Sequence, residues 1–438
     1  MAGKAASRVA QIQGSLSSSE PSTIANTMGR LQVGVLGATG TVGQRFILQL
    51  ADHPQFELVA LGASASSTGK TYKDAVAGRW KQVKPIPARV AGMTLVECEP
   101  QGFANCQVVF SGLDSGPAST IEPAFRSANL RVFSNARNYR MDPVCPLVVP
   151  LVNPDHFGII AHQRSTLQPS PSKGFIITNA NCSTTGIVVP LKALQDAFGP
   201  LDKLLVATLQ AVSGAGYPGV SSFDIHDNVV PFISGEEEKI EMETRKILGS
   251  INSSKTAFVD EDIRISAHCN RVPVLDGHTE CVSVSFKRRP PPSVEQVKEA
   301  LRSYTCDAQR LGVHSAPKQA ITVHDEPDRP QPRLDRDWQD GAGVNVGRVR
   351  ECPVFDIKVS QDFQMQKYLL TAISVPVCGP FQQCHDRRCH QLSHECGNRI
   401  GQWASIVILY FQLGPKSIWA EEKSTSGRRW FRCGRSGR

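Results

Sequence analysis

The stretch from residue 31 to residue 50 restricts the fold more than any other. Leu31-Gln-Val-Gly-Val-Leu36 is a short apolar run with the character of a buried parallel strand. Gly37-Ala-Thr-Gly40-Thr-Val-Gly43 follows, and an apolar-periodic stretch then runs to Leu50. A second strand is expected at 56–62, which makes this a βαβ opening. Further strands are expected at 107–111, 132–134 and 147–150. Strands separated by helical stretches imply an α/β fold, a doubly wound parallel sheet of Rossmann type over 30–165.

The pattern changes after residue 165. A Ser/Pro-rich loop leads to a strand at 174–178 and a helix from Ser183. A long strand-like run covers 201–213, and a charged helix covers 235–248. The segments 265–274 and 278–286 look like antiparallel strands. In the second, Val282, Val284 and Phe286 alternate with Ser283 and Ser285, the mark of a half-buried strand. A loop is expected over 324–340 and one more strand over 352–359. Residues 166–358 therefore read as an α+β domain with a mixed sheet. There are no internal repeats.

Composition excludes several classes. The 438 residues contain no apolar run of membrane-spanning length. The net charge of +8 raises nucleic acid as a partner. Its distribution argues against that, because residues 359–438 hold 11 Lys/Arg against 5 Asp/Glu and carry most of the excess. The cysteines lack paired spacing, which reads as free thiols and a cytoplasmic protein. Residues 1–29 read as a disordered extension, with Met28 as an alternative start. Their two basic residues, Lys4 and Arg8, are few for a transit peptide.

Gly37, Gly40 and Gly43 lie between strand and helix, where glycines let backbone approach a pyrophosphate and the helix N-terminus favours an anion. NAD-specific sites place an acid near the end of the second strand. Here the chain reads Gly62-Ala-Ser64-Ala-Ser-Ser67-Thr-Gly-Lys70, with hydroxyls and a lysine but no acid, so the cofactor expected is NADP.

Asn179-Ala-Asn181-Cys182-Ser183-Thr184-Thr185-Gly186 follows a strand and opens a helix. A thiol there has its thiolate stabilised by the helix dipole and can attack a carbonyl to hold a thioester. The plainer reading is a buried structural cysteine.

At these residues the chain resembles the aspartate-semialdehyde dehydrogenases of the fungal and archaeal branch. The resemblance runs over about 31–358. It rests on the Gly37–Gly43 loop, Ser134-Asn-Ala-Arg-Asn-Tyr-Arg140, Asn181-Cys182-Ser183, Gln210-Ala-Val-Ser-Gly-Ala-Gly216, Gly235-Glu-Glu-Glu-Lys239 and Arg271-Val-Pro-Val-Leu-Asp-Gly-His278. It implies Cys182 as the acyl-forming nucleophile, His278 as acid/base and Gln210 as the residue positioning the thio-intermediate. It implies Arg271 for the substrate carboxylate, Glu236 near the substrate amine, Arg140 and Lys239 for phosphate, and Asn135 in the substrate site. Cofactor contacts are implied at Gly37, Thr39, Gly40, Thr41, Val42, Gly43, Ser64, Ser67, Lys70, Ser111, Gly112, Ser213 and Gly214. No metal is implied. The second domain would be catalytic and dimerising, giving a homodimer or homotetramer. Each polar residue taken alone also has an ordinary reading. Glu236 to Lys239 is a usual solvated helix start, Arg271 can pair with Asp276 or Glu280, and His278 can be a turn histidine.

The reaction implied is reversible NADP-dependent reduction of aspartyl phosphate. The competing readings are another acyl-phosphate reductase, a malonyl-CoA reductase, or a non-catalytic NADP-binding regulator. The last would need no Cys182–His278 pair. After Lys358 the family pattern is lost, and composition shifts at the same place. Val359-Ser360 can be encoded by GTAAGT, a usual intron start, so residues 359–438 are expected to be translated intron or a shifted frame. The Cys384, His385, Cys389, His390, His394 and Cys396 cluster in that tail matches no common zinc spacing.

Overall fold

The structure, a computed structural model, describes residues 30–167 and 170–363. The extension expected at 1–29 and the tail from residue 364, including the Cys384–Cys396 cluster, lie outside the described residues. The chain forms two compact units, one of residues up to 125 with 130–134, the other of 126–129 with 135 onward.

In the first unit β1 (Leu31–Leu36), β2 (Phe56–Ala63), β3 (Val96–Glu97), β4 (Val108–Ser111) and β5 (Arg131–Ser134) lie in the order β3-β2-β1-β4-β5. Every neighbouring pair is parallel. The chain runs outward from β1 to β2 and β3, then crosses back to β4 on the other side of β1. That reversal opens a crevice at the carboxyl ends of β1 and β4, where such sheets bind ligands. Helix α1 (Thr41–Leu50) buries Phe46, Ile47 and Leu50, and the Phe46 ring packs 5.3 Å from Phe110 of β4. The doubly wound reading of this region is met.

The glycine loop is a backbone-to-backbone joint. Gly37 has φ +69°, a conformation that side chains with a Cβ rarely adopt. A Cβ on Gly43 would lie 2.2 Å from the Gly37 carbonyl oxygen, and one on Gly112 would lie 2.9 Å from the Gly43 nitrogen. The buried Tyr72 hydroxyl donates to the Ala38 carbonyl at 3.0 Å, and the Gln44 amide to the Thr39 carbonyl at 3.0 Å. The loop is thus tied from both sides, while no side chain caps the α1 N-terminus.

In the second unit β6 (Leu147–Val148) and β7 (Phe175–Asn179) pair in parallel. Helix α3 follows at Cys182–Phe198, helix α4 spans Glu236–Leu248 and helix α5 Val294–Ser303, with α2 (Ser115–Ser127) earlier in the chain. A six-stranded mixed sheet orders β9 (Arg264–Arg271), β8 (Leu201–Gln210), β10 (His278–Phe286), β13 (Ile357–Phe363), β12 (Val344–Glu351) and β11 (Ile321–Val323). The mixed sheet agrees with the expectation.

Its details do not all agree. The segments read as antiparallel partners, β9 and β10, do not pair with each other: β8 lies between them, parallel to β9 and antiparallel to β10. The run expected to 213 ends at Gln210, where the chain turns into a 3-10 segment at Val212–Ala215. The strand expected at 352–359 begins instead at Ile357, because Cys352 to Asp356 form the turn back from β12. Ser283 and Ser285 are buried like their apolar neighbours, since β10 is an interior strand flanked by β8 and β13. The last strand runs to Phe363, which is buried against Gly186 of α3. On β8, Leu204, Val206, Thr208 and Gln210 are buried, whereas Leu205 and Leu209 are exposed.

The Gly37–Gly43 joint has no space for a methyl group. Gly43→Ala is expected to lower unfolding stability by about 1–3 kcal/mol, the cost of overpacking a rigid contact. Thermal or denaturant unfolding measures it, and a change under a few tenths would mean the loop opens freely.

Candidate active site

Cys182 is the first residue of α3, and its position follows from local capping. Asn181 is the N-cap, and its side-chain oxygen accepts from the Thr184 N–H at 3.1 Å, as the Asn-Cys-Ser-Thr order allows. Asn181 is also anchored by α4. Its backbone N–H donates to Glu243 Oε2 at 2.6 Å, and its side-chain amide donates to Glu236 Oε1 at 2.6 Å. Glu236 and Glu243 are seven residues apart, two helical turns, and so share one face of α4.

Around Glu236 the catalytic candidates converge. Gln210, at the end of β8, donates to Glu236 Oε1 at 3.3 Å, and Lys239 donates to Oε2 at 2.8 Å. The Cys182 sulfur stands 4.0 Å from Oε1. Burial opposes charge on Glu236, yet Lys239, Asn181 and Gln210 together hold its carboxyl below the usual carboxylate range. Cys182 shows the opposite balance. Desolvation, with the Glu236 carboxylate beside it, pushes its thiol up to about 12, against the Ser183 N–H and the charges of Arg140 and Arg271. The helix N-terminus does not offset these effects, so the thiol form is favoured over the thiolate.

His278 and Arg271 occupy the ends of neighbouring segments. The Ala211 N–H donates to His278 Nδ1 at 3.1 Å, so the neutral ring carries its proton on Nε2. A Cβ built on Gly214 would lie 3.4 Å from that Nε2 and 2.9 Å from Arg271 Nη1, so both groups border the Val212–Ala215 turn. Arg271 donates to the Ala211 carbonyl at 2.8 Å and is buried, with no salt bridge among the described residues. It pairs with neither Asp276 nor Glu280.

Arg140 donates to Glu243 Oε1 at 3.0 Å and to the Asn135 carbonyl at 2.9 Å, while the Asn135 side chain accepts from Asn179 at 2.9 Å. Arg140, Lys239 and Glu243 line a cleft of about 320 Å³ with Arg137, Met141, Gly235, Glu238 and Met242. Two groups here escaped sequence reasoning. Glu243 carried no signal beyond its place on a charged helix. Lys246 is buried, and its ammonium donates to the carbonyls of Arg140, Asp142 and Cys145, holding the backbone that carries Arg140.

Of the expected cofactor residues, Gly37, Thr39, Gly40, Thr41, Val42 and Gly43 form the first unit's loop, with Gly112 against it and Ser111 at the end of β4. Ser64 and Ser67 begin the turn after β2, linked through the Ser67 N–H to the Ser64 carbonyl at 2.8 Å, and Lys70 closes it, exposed. An uncapped helix N-terminus above a glycine joint, with cationic and hydroxylic groups on the adjoining turn, fits a phosphorylated dinucleotide. Ser213 and Gly214 lie in the second unit, beside Arg271 and His278. Among the described residues no group of three His, Cys, Asp or Glu is placed to hold a metal, and no helix is long and apolar enough to cross a membrane.

Two family profiles match the chain: "Semialdehyde dehydrogenase, NAD binding domain" over residues 32–159 and "Semialdehyde dehydrogenase, dimerisation domain" over 191–360. The aspartate-semialdehyde dehydrogenase of Cryptococcus neoformans is 64% identical over 334 residues, 75% of this chain and 90% of its own length. That of Schizosaccharomyces pombe is 57% identical over 329 residues, 75% and 91%. The crystal structure of aspartate-semialdehyde dehydrogenase with NADP from Candida albicans superposes with a TM-score of 0.73 at 50% identity, covering 80% of this chain and 98% of that one.

Glu243 serves two donors at once, one of them a buried guanidinium. Glu243→Gln leaves Arg140 without its counter-charge and is expected to cost about 3 kcal/mol of stability. Urea titration of the variant tests this; a loss below ~1 kcal/mol would mean that water replaces the pair.

Proposed function

The chain belongs to the aspartate-semialdehyde dehydrogenase family, and we propose that it works through a thioester on Cys182. It is an oxidoreductase of the aspartate pathway to lysine, threonine and methionine, interconverting aspartyl 4-phosphate and aspartate 4-semialdehyde, with NADP as cofactor. The observation that carries the site assignment is the bonded cluster in which Glu236 holds Asn181, Gln210 and Lys239 and stands 4.0 Å from the Cys182 sulfur.

In the reductive direction the Cys182 sulfur attacks the acyl carbon. The carbon–oxygen bond to phosphate breaks, and phosphate departs toward Arg140 and Lys239. Arg271, a buried cation without a carboxylate partner among the described residues, takes the substrate's α-carboxylate through its planar fork. Glu236 faces the substrate ammonium. That pairing offsets the carboxylate which holds the thiol neutral, so substrate binding itself favours the thiolate. N–H groups at the start of α3 steady the thioester oxygen as negative charge develops on it. Bound NADPH supplies the hydride that reduces the thioester carbon. The Cys182 thiol proton leaves with the departing phosphate. Hydride addition gives a thiohemiacetal anion, which collapses to the aldehyde as its carbon–sulfur bond breaks; the His278 Nε2–H donates a hydrogen bond to the departing sulfur, and the proton that restores the thiol comes from solvent. Gln210 keeps Glu236 and the adjoining thio-intermediate in place.

A homodimer belongs to the same reading. The dimerisation-domain match and the open face of β8, where Leu205 and Leu209 are exposed in line with Lys203, support a subunit contact on that sheet. A cytoplasmic location and recognition of phosphate are parts of it as well.

The direct assay is aspartate semialdehyde with NADP and phosphate, run against malonyl-CoA with NADPH. Cys182→Ala is expected to abolish turnover, a loss above about 10⁴-fold, and to leave NADPH binding within twofold by fluorescence titration. Residual turnover above a trace would remove the covalent step.

Alkylation by iodoacetamide, quantified on the peptide that contains Cys182, reads this thiol apart from the other free cysteines, because only the thiolate reacts. With the thiol pushed up to about 12, the rate in unliganded protein is expected to climb about tenfold per pH unit from 7 to 10, without a plateau. Glu236→Gln removes the neighbouring negative charge, lowers that pKa and alkylates faster at each pH. A plateau near pH 7 in the unsubstituted protein would overturn this account.

A further inference from the structure

Among the described residues, the cleft lined by Arg140, Lys239 and Glu243 contains one cation whose charge is uncommitted. Arg140 is committed to Glu243 at 3.0 Å and Lys239 to Glu236 at 2.8 Å. The Arg137 guanidinium lines the same cleft, is exposed, and forms no ion pair or hydrogen bond among the described residues. The cleft lining carries Arg137, Arg140 and Lys239 against Glu238 and Glu243, so Arg137 accounts for its net positive charge.

Local geometry explains the placement. After β5 the chain enters a 3-10 turn at Arg137–Tyr139, with Arg140 as its C-cap, and the Arg140 N–H donates to the Arg137 carbonyl. Side chains three residues apart eclipse on a 3-10 turn. Arg137 and Arg140 therefore project on the same side, into one cleft. Arg140 is buried and bonded to Glu243 and to the Asn135 carbonyl, while Arg137 is exposed.

We propose that Arg137 is a phosphate-binding residue of this site, closing from the rim onto the phosphoryl dianion that Arg140 and Lys239 receive from beneath. The inference rests on the reading above, in which the cleft takes the acyl phosphate and releases inorganic phosphate. A dianion entering next to two pre-neutralised pairs gains little from them until it displaces their carboxylates. A cation with no partner is attracted at once and gives the planar two-pronged contact that arginine makes to phosphate oxygens. Because Arg137 is solvent-exposed, its contribution is moderate.

The test is steady-state kinetics of the full chain in the oxidative direction, with inorganic phosphate varied at saturating aspartate semialdehyde and NADP. Arg137→Gln is expected to raise the KM for phosphate about tenfold, equivalent to about 1.4 kcal/mol. The KM values for semialdehyde and NADP should stay within twofold. Arg137→Lys should recover part of the loss, and Arg137→Glu should deepen it. Arg140→Gln is the reference, expected to raise the phosphate KM further. If Arg140→Gln raises it and Arg137→Gln leaves it within twofold, the inference is overturned and the phosphate site stands. If neither moves it, the phosphate reading of the cleft fails, and this inference with it. If Arg137→Gln shifts all three KM values together or lowers the unfolding midpoint by several degrees, Arg137 is structural and the inference is likewise overturned.

Discussion

Two carboxylates on one face of α4 hold the N-terminus of α3, and the site is organised around that grip. Glu243 binds the Asn181 backbone and Glu236 binds its side chain. Each also holds a cation of the neighbouring cleft, Arg140 through Glu243 and Lys239 through Glu236. One helix face therefore positions both the candidate nucleophile and two cations of the adjoining cleft. Two charged pairs this far from water cost desolvation that their attraction offsets only with good geometry and further hydrogen bonds. The Asn181 and Gln210 donors supply those bonds.

The same arrangement sets the resting charge of the site. The half-buried Cys182 thiol lies beside a carboxylate, and desolvation together with that charge pushes its pKa up, against the Ser183 N–H and two arginines. Arg140 and Lys239 are neutralised by their own partners, while the buried Arg271 has none among the described residues. Such a site is quiet when empty. Under the proposed function, the ammonium, carboxylate and phosphoryl group of a substrate would redistribute what the protein has balanced. Lys246 supports this from outside, since its ammonium donates to three carbonyls of the segment carrying Arg140.

Much of the first unit was legible because its signals are local. A short apolar run, three glycines and an apolar-periodic stretch suffice to specify strand, turn and helix. The backbone contact between Gly37 and Gly43 leaves no alternative residue at either place. The second unit was less legible because its sheet is assembled from distant segments. Alternation along 278–286 identified a strand, but whether the serine face is covered depends on β8 and β13, which flank it. Pairing of 264–271 with 278–286 was a reasonable expectation from adjacency. It fails because β8 takes the place between them, which no feature within either segment encodes.

By itself the sequence determined the βαβ opening, the cysteine at a strand-to-helix junction, the absence of an acid after β2, and the order of motifs that identifies the family. These depend on spacing along the chain, over which capping, turn and periodicity rules act. Tertiary structure alone decided the protonation of that cysteine, the pairing of Arg140 with Glu243 across 103 positions, and the proton on Nε2 of His278. Each of these depends on a group brought in from elsewhere in the chain. Electrostatic energy depends on distance in space and on exclusion of water, and neither is written in the spacing of residues.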